Sequence, residues 1–209
     1  PPSTTVKAVL LVGVLLGALP LPDYEQALLA EAEQEADVLI ARGQVAEADH
    51  YLEHFREHVA DDARLMYAHG LAKRLRGELL SAQGLLEQAL LHDPTLAEAW
   101  YDLGEVHLNL VRPAEAESAF KKASQLSEEH PNGWAAPFRL AELAGSRGNS
   151  AAFEGWLEEA MQRGFSFQQI VWGSEKWTNF LSDPELGDIM KRLITVHESE
   201  TILDSWPSP

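Results

Sequence analysis

The sequence repeats itself at a spacing of 34 residues, and this period constrains the fold more than any other feature. Small residues recur at that interval: Gly70 as Gly104, Ala82 as Ala116, and Ala89 as Ala123. The same spacing extends toward the N-terminus, where Ala36, Arg42, Gly43 and Ala48 precede Gly70, Arg76, Gly77 and Ala82. A fixed period of this length is typical of stacked helix pairs, since each pair buries its apolar face only against its neighbours. The sequence therefore predicts an array of helical repeats.

The third unit of the array, from Ala97 to Pro131, carries the clearest pattern. Its characteristic residues are Trp100, Leu103, Gly104, His107, Ala116, Phe120 and Ala123. At these spacings the unit resembles the tetratricopeptide repeat (TPR) family. Small residues are needed where two helices cross closely, and large ones fill the space beside the crossing. The resemblance implies an all-α fold, a right-handed solenoid of helical hairpins.

The pattern covers about four repeats, which we place at residues 29–62, 63–96, 97–133 and 134–164. The first is the most divergent, with Phe55 in place of its last small residue. After Pro131 the phase slips by three residues, and the extra residues lie in the stretch SEEHP. The Arg-Gly pair found at positions 42–43 and 76–77 then returns at 147–148.

A different pattern follows Gly164. Four of the six tryptophans lie beyond residue 150, namely Trp156, Trp172, Trp177 and Trp206. Asp183 and Pro184 are suited to the N-cap and first position of a helix, and apolar residues then recur at helical spacing: Leu186, Ile189, Met190, Leu193 and Ile194. We expect helices within 165–197 to cap the exposed end of the last repeat, with an aromatic partner-binding patch as the alternative. Residues 198–209 are expected to form a tail.

Residues 1–22 form a separate hydrophobic segment. An apolar run from Ala8 to Leu19 follows Lys7 and precedes Pro20, and it is shorter than the ~20 residues usual for a membrane-spanning helix. Three interpretations stay open: an uncleaved anchor, a signal peptide, or a helix packed on protein. No small-x-small cleavage site follows the run. As an anchor, residues 8–21 would contact the membrane of a bacterial cell envelope. The positive charge before the run would then place the repeats on the non-cytoplasmic side, with the cytoplasmic side as the alternative.

The net charge of −17 makes a nucleic-acid-binding module implausible, because such a module needs basic residues along the phosphates. Between Asp23 and Asp62 there are twelve acidic residues against Arg42 and Arg56, a net charge of −10. This region is expected to attract basic partners. The alternative is a solvated surface that keeps a terminal repeat soluble.

The TPR resemblance also implies a concave groove lined by the first helix of each repeat. The residues that carry over to this groove are Glu33, Asp37, Ile40, Arg64, Tyr67, Leu71, Arg74, Glu98, Tyr101, Glu105, Asn109, Phe138 and Glu142. We expect the aromatic ones to hold apolar side chains of a partner and the charged ones to set its register. The alternative is a face without any ligand. A clamp of lysine and asparagine for a terminal carboxylate is not expected, because the first repeat offers Glu33 and Asp37 instead.

The sequence contains one weak candidate for a metal site and no specific catalytic motif. His50, His54 and His58 lie one helical turn apart on a shared face, and imidazoles one turn apart can chelate zinc, nickel or copper. The order HExxH is missing, as are the nucleophile elbow and the phosphate-binding loop. Cysteine is absent, so neither a disulfide framework nor a Cys-based zinc site is expected. We predict no catalytic residue and no cofactor.

Together these features predict a non-enzymatic protein-binding scaffold or assembly factor. It would be tethered to a membrane or envelope complex and would bind a client peptide or helix in the groove. The pattern resembles bacterial TPR proteins that assist pilus assembly or cytochrome maturation. A permanent accessory subunit of a membrane complex is one alternative. A metal-binding or hydrolytic protein that uses the histidine stripe is another.

Overall fold

The computed structural model describes residues 21–56, 62–130, 132–169 and 175–198. In these ranges the chain forms ten α-helices, one short 3-10 helix and no strand. The α-helices are α1 (Leu21–Ala41), α2 (Val45–Arg56), α3 (Ala63–Leu75), α4 (Leu79–His92), α5 (Ala97–Asn109), α6 (Pro113–Leu126), α7 (Ala135–Ser146), α8 (Ser150–Gln162), α9 (Glu175–Ser182) and α10 (Pro184–His197). The predicted all-α fold is confirmed.

The hydrophobic segment predicted at 1–22 lies outside the described residues, apart from the first positions of α1. The same is true of the tail from residue 199 onward. None of the helices in the described ranges is both long enough and apolar enough to cross a bilayer. The short 3-10 helix spans Phe167–Gln169 and follows α8.

The chain divides into two compact units between Leu110 and Val111. The N-terminal unit contains α1 to α5, in which α1 packs on α2 and α3 on α4. The first helices of successive pairs also pack on one another, α1 against α3 and α3 against α5. A Cβ atom added at Gly70 would lie 2.9 Å from Cγ of Leu86, so this crossing of α3 and α4 requires glycine. The recurring small residues are therefore explained by close helix packing.

The C-terminal unit contains α6 to α10, and its core is rich in aromatic rings. Helix α6 packs on α7, α7 on α8, and α10 on both α8 and α9. Asp183 is the N-cap of α10, as predicted, and its carboxylate accepts hydrogen bonds from the backbone N–H groups of Glu185 and Leu186 at 3.0 and 2.9 Å. The predicted apolar stripe of this helix is buried. The segment therefore supplies much of the core of this unit.

The recurring Arg-Gly pair forms the turn between the two helices of a repeat. Its glycine takes a left-handed backbone conformation, with φ of 75° at Gly43, 79° at Gly77 and 67° at Gly148. The third repeat has Val111 at the equivalent position, with φ of 59°. A side chain with a Cβ atom costs roughly 1–2 kcal/mol in this conformation. The third turn is therefore strained relative to the other three.

The arginine of the same pair links consecutive repeats. Arg76 forms an ion pair with Asp49 on the second helix of the preceding repeat. In the C-terminal unit, Arg147 forms the equivalent ion pair with Glu117 and also donates to the backbone oxygen of Pro113 at 3.1 Å. The Arg-Gly echo therefore marks both a turn and a contact between neighbouring repeats.

Candidate functional site

Eleven of the predicted groove residues lie on α1, α3 and α5 of the N-terminal unit, whose helices pack α1 on α3 and α3 on α5. We call the surface formed by these three helices the inner face; it comprises Glu33, Asp37, Ile40, Arg64, Tyr67, Leu71, Arg74, Glu98, Tyr101, Asp102, Glu105 and Asn109. An ion pair of 3.4 Å between Arg64 Nη1 and Glu33 Oε1 connects α1 with α3. A second ion pair, 2.9 Å between Arg74 Nη2 and Asp102 Oδ1, connects α3 with α5. The inner face is thus formed across successive repeats.

Asp102 is a buried carboxylate of the inner face, with 5% of its surface exposed. Burial raises the pKa of Asp102 to about 6, although the charge of Arg74 and the hydrogen bond from the Tyr67 hydroxyl both oppose this rise. Burial and the neighbouring Asp102 carboxylate also raise the pKa of Tyr67. The Tyr67 hydroxyl therefore stays protonated at neutral pH and donates to Asp102.

Sequence reasoning missed Asp102. The signal in the sequence was an acidic residue where the preceding repeat has Ala68, which is buried. A charge at such a position needs partners within the fold, and Arg74 and Tyr67 supply them.

The inner face carries an excess of negative charge. Its acidic residues are Glu33, Asp37, Glu98, Asp102 and Glu105, against two arginines. Each arginine forms an ion pair with a carboxylate of the same face. Asp37 and Glu98 are exposed, whereas Leu71, Tyr101 and Glu105 are half-buried. The exposed Asn109 donates from its amide to the backbone oxygen of Glu105 at 2.8 Å. This surface can offer aromatic contacts and carboxylates to a partner.

The two groove residues predicted in the fourth repeat have a different environment. The Phe138 ring stacks on the Trp177 ring of α9, with 5.1 Å between centroids and 17° between planes. Glu142 is 6% exposed, and its Oε1 accepts a hydrogen bond of 3.0 Å from the Trp177 indole. Its Oε2 accepts one of 2.6 Å from Arg139, and Lys176 Nζ lies 3.6 Å from Oε1. In this conformation, both residues are covered by the chain's own helix.

A second buried carboxylate, Asp49, lies between α2 and α3 and was also missed. It is 2% exposed and accepts from His69 Nε2 and Lys73 Nζ, each at 3.0 Å, in addition to Arg76. Burial alone would raise the pKa of Asp49, but the hydrogen bond and charge of Lys73, with the charges of His69 and Arg76, hold it below its usual value. Burial also lowers the pKa of His69. These contacts fix α2 to α3.

The weak metal candidate is described only in part. His50 and His54 are exposed on α2, and His58 lies outside the described residues. Within the described ranges, no group of three or more histidine or carboxylate side chains is arranged to hold a metal ion.

Comparison with known proteins supports the predicted resemblance to the TPR family. Residues 74–136 match the model of the tetratricopeptide repeat family. A stretch of 50 residues, which is 24% of this chain, is 48% identical to Protein NPG1 of Arabidopsis thaliana. The match spans only 7% of the length of that relative.

Solved structures with a similar fold include PilF of Pseudomonas aeruginosa and YrrB. PilF superposes with a TM-score of 0.63 and 16% identity, over 82% of this chain and 70% of PilF. YrrB, described as a TPR protein with an unusual peptide-binding site, has a TM-score of 0.58 and 15% identity, over 83% of this chain and 89% of its own. At these identities the likeness concerns the fold. The chain has the fold of TPR solenoids.

Proposed function

We propose that this chain is a non-enzymatic scaffold or assembly factor that binds a segment of a client protein on its inner face. The observation that carries this proposal is the inner face itself. There, the first helices of three consecutive repeats carry aromatic rings and carboxylates on one surface. The fold also resembles that of YrrB, a TPR protein with an unusual peptide-binding site, which supports the same use of the surface.

The chemistry of the inner face is suited to an extended or helical protein segment. Tyr67 and Tyr101 are half-buried, so their rings can contact a partner with little loss of conformational entropy. The Arg64 side chain is 59% exposed, and ion pairs of exposed side chains contribute little to stability. Arg64 can therefore exchange the Glu33 carboxylate for a carboxylate of a partner at a low cost in free energy.

The membrane part of the proposal rests on the sequence of residues 1–22. As an anchor, this segment would hold the inner face near a membrane and so raise its effective concentration toward clients in the same membrane. The finer alternative within the same class is a permanent accessory subunit whose apolar segment packs among the helices of a complex. The two differ in stoichiometry, because an assembly factor dissociates from its product.

Purification of the full chain from its native membrane fraction in mild detergent tests the proposal. Mass spectrometry would identify the co-purifying proteins, their ratio to the chain and the N-terminal residue of the chain. A partner at constant ratio indicates an accessory subunit, whereas several substoichiometric partners indicate an assembly factor. If no protein co-purifies even after cross-linking, the proposal is wrong.

A charge reversal on the inner face tests whether the captured partner binds to this surface. Glu98→Lys changes an exposed residue of α5 and is expected to reduce capture. Glu53→Lys makes the same change at an exposed residue of α2 outside the inner face and should leave capture unchanged. Equal capture by both variants and the unaltered chain would show that clients bind elsewhere.

A further inference from the structure

In the C-terminal unit, α9 lies on the repeat positions that belong to the inner face in the N-terminal unit. We propose that the inner face recognises an amphipathic helix of a partner protein in which a basic residue directly precedes a tryptophan, as Lys176 precedes Trp177 in α9. This inference rests on the proposed function and names the class of segment that the inner face binds.

The equivalence of the positions follows from the repeat. Residues of α5 and α7 correspond at an offset of 37, the 34-residue period plus the three-residue slip: Ala99 with Ala136, Leu103 with Leu140, and Gly104 with Ala141. All six of these residues are buried. At the same offset, Tyr101 corresponds to Phe138 and Glu105 to Glu142. An aromatic ring and a carboxylate one turn further along thus recur in both repeats.

Helix α9 shows what such a ring and carboxylate bind. The Trp177 ring stacks on Phe138 while its indole N–H donates to Glu142, so one side chain contacts both residues. Lys176 adds a positive charge 3.6 Å from the Glu142 carboxylate and keeps 46% of its side chain exposed. One face of α9, with Trp177 and Phe180, is buried, and Asn179 is exposed. The helix therefore contacts α7 as a short amphipathic ligand would.

The inner face is also suited to a basic residue of a partner. In α7 the carboxylate of Glu142 already accepts from Arg139 at 2.6 Å. The residue of α5 that corresponds to Arg139 is Asp102, so the N-terminal unit has a carboxylate where the C-terminal unit has a guanidinium. Asp102 is itself paired with Arg74 of α3 at 2.9 Å, so a cation of the partner would be attracted by Glu105 together with the exposed Glu98 of α5.

The occupant is expected to come from another protein. Lys176 and Trp177 form the one Lys-Trp or Arg-Trp pair in the sequence, and Trp177 is already buried at 7% exposure. Trp206, in the C-terminal tail, follows Asp204 and Ser205 and has no basic residue beside it. Repulsion by the carboxylates of the inner face disfavours this tail as the ligand.

The test is fluorescence anisotropy of a dye-labelled peptide with the sequence of residues 175–186, titrated with the full chain. The matched peptides replace Trp177 with Ala or Lys176 with Glu. Loss of a buried aromatic anchor typically weakens binding by about tenfold or more, and we expect this for the Trp177→Ala peptide. The Lys176→Glu peptide should lose affinity as well, with a dependence on salt.

Variants of the full chain locate the bound peptide. Tyr101→Ala and Glu105→Gln should weaken binding of the unaltered peptide, whereas Leu91→Ala, at an exposed residue of α4, should not. Tyr101→Phe keeps the ring and should retain binding. It is the variant to use if Tyr101→Ala does not fold. Weakening by Phe138→Ala alone would mean that the peptide exchanges with α9, and would overturn the inference.

Failure of the inference is distinguishable from failure of the proposed function. If the peptide does not bind, or binds equally with Trp177 replaced, while Glu98→Lys still abolishes capture of clients, only the inference is wrong. If Glu98→Lys also has no effect on capture, the proposed function is wrong as well.

Discussion

The two units use equivalent repeat positions in different ways. In the C-terminal unit, Phe138 and Glu142 are covered by α9 and contribute to the core. In the N-terminal unit, Tyr101 and Glu105 are half-buried on the inner face, beside the exposed Glu98. The comparison teaches that an aromatic ring and a carboxylate at corresponding repeat positions can be covered by the chain's own helix in one unit and remain half-buried in the other.

The largest effect on the difference between the two units is expected from removal of the Trp177 indole, which covers Phe138 and Glu142 of the fourth repeat. Trp177→Ala is expected to lower the free energy of unfolding by about 4 kcal/mol, because it opens a cavity and takes a donor from buried Glu142. Urea denaturation followed by circular dichroism measures the loss, and hydrogen exchange shows whether α9 and α10 lose protection.

Trp100→Ala is the matched change in the N-terminal unit. Trp100 is half-buried, and its indole donates to the backbone oxygen of Pro94 at 3.0 Å. We expect a smaller loss of stability than for Trp177→Ala. An equal or larger loss would contradict the view that α9 is an essential part of the C-terminal core.

Asp49→Asn tests the buried ion pairs of the N-terminal unit. It leaves Lys73 and Arg76 without a carboxylate partner at this position and is expected to cost about 3 kcal/mol at pH 7. Because the pKa of Asp49 is below its usual value in the folded chain, the stabilisation is complete at neutral pH and is lost as the pH falls through that lowered pKa. Denaturation curves at pH 7 and at pH values below about 4 measure this effect.

Glu33→Gln provides the control for the ion pair of Asp49. It removes the exposed pair with Arg64, which is expected to contribute at most about 0.5 kcal/mol. A similar cost for the two variants would show that burial does not distinguish these ion pairs.

Asp102→Asn sharpens the contrast between the two buried aspartates. Burial raises the pKa of Asp102 to about 6, so the folded chain binds a proton more tightly than the unfolded chain. Its contribution to stability therefore decreases as the pH rises from about 4 to 6, the opposite sign to Asp49. Relative to the unaltered chain, Asp102→Asn should become more stable by about 2 kcal/mol between pH 4 and pH 7.5. A pH-independent difference would contradict the raised pKa.

A further contrast concerns the turn that is strained in only one repeat. Val111→Gly removes an exposed side chain from a left-handed conformation and is expected to raise the free energy of unfolding by about 1 kcal/mol. Gly77→Val introduces the same conflict into the N-terminal unit and should lower stability by about 1–2 kcal/mol. Thermal denaturation of both variants checks the pair. Destabilisation by Val111→Gly would mean that the strain is compensated by other contacts.

The sequence predicted those parts of the fold that depend on local periodicity. The 34-residue period and the small residues at Gly70 and Gly104 predicted paired helices, because close helix crossings exclude large side chains. Asp183 predicted the start of α10, since its carboxylate caps nearby N–H groups. The resemblance to the TPR family implied which residues of α1, α3 and α5 belong to a groove. These features depend on short-range geometry, and the same local pattern recurs in several repeats.

The tertiary structure alone decided which groove positions are covered and which acidic residues are buried. Phe138 and Glu142 fit the groove pattern as well as Tyr101 and Glu105 do, and only the position of α9 distinguishes them. Asp102 and Asp49 resemble other surface acids in a chain of net charge −17. Their burial depends on Arg74 and Tyr67 for the one and on Lys73 and Arg76 for the other. Such pairings join residues distant in the sequence, so no local pattern specifies them, and they follow from how the helices pack.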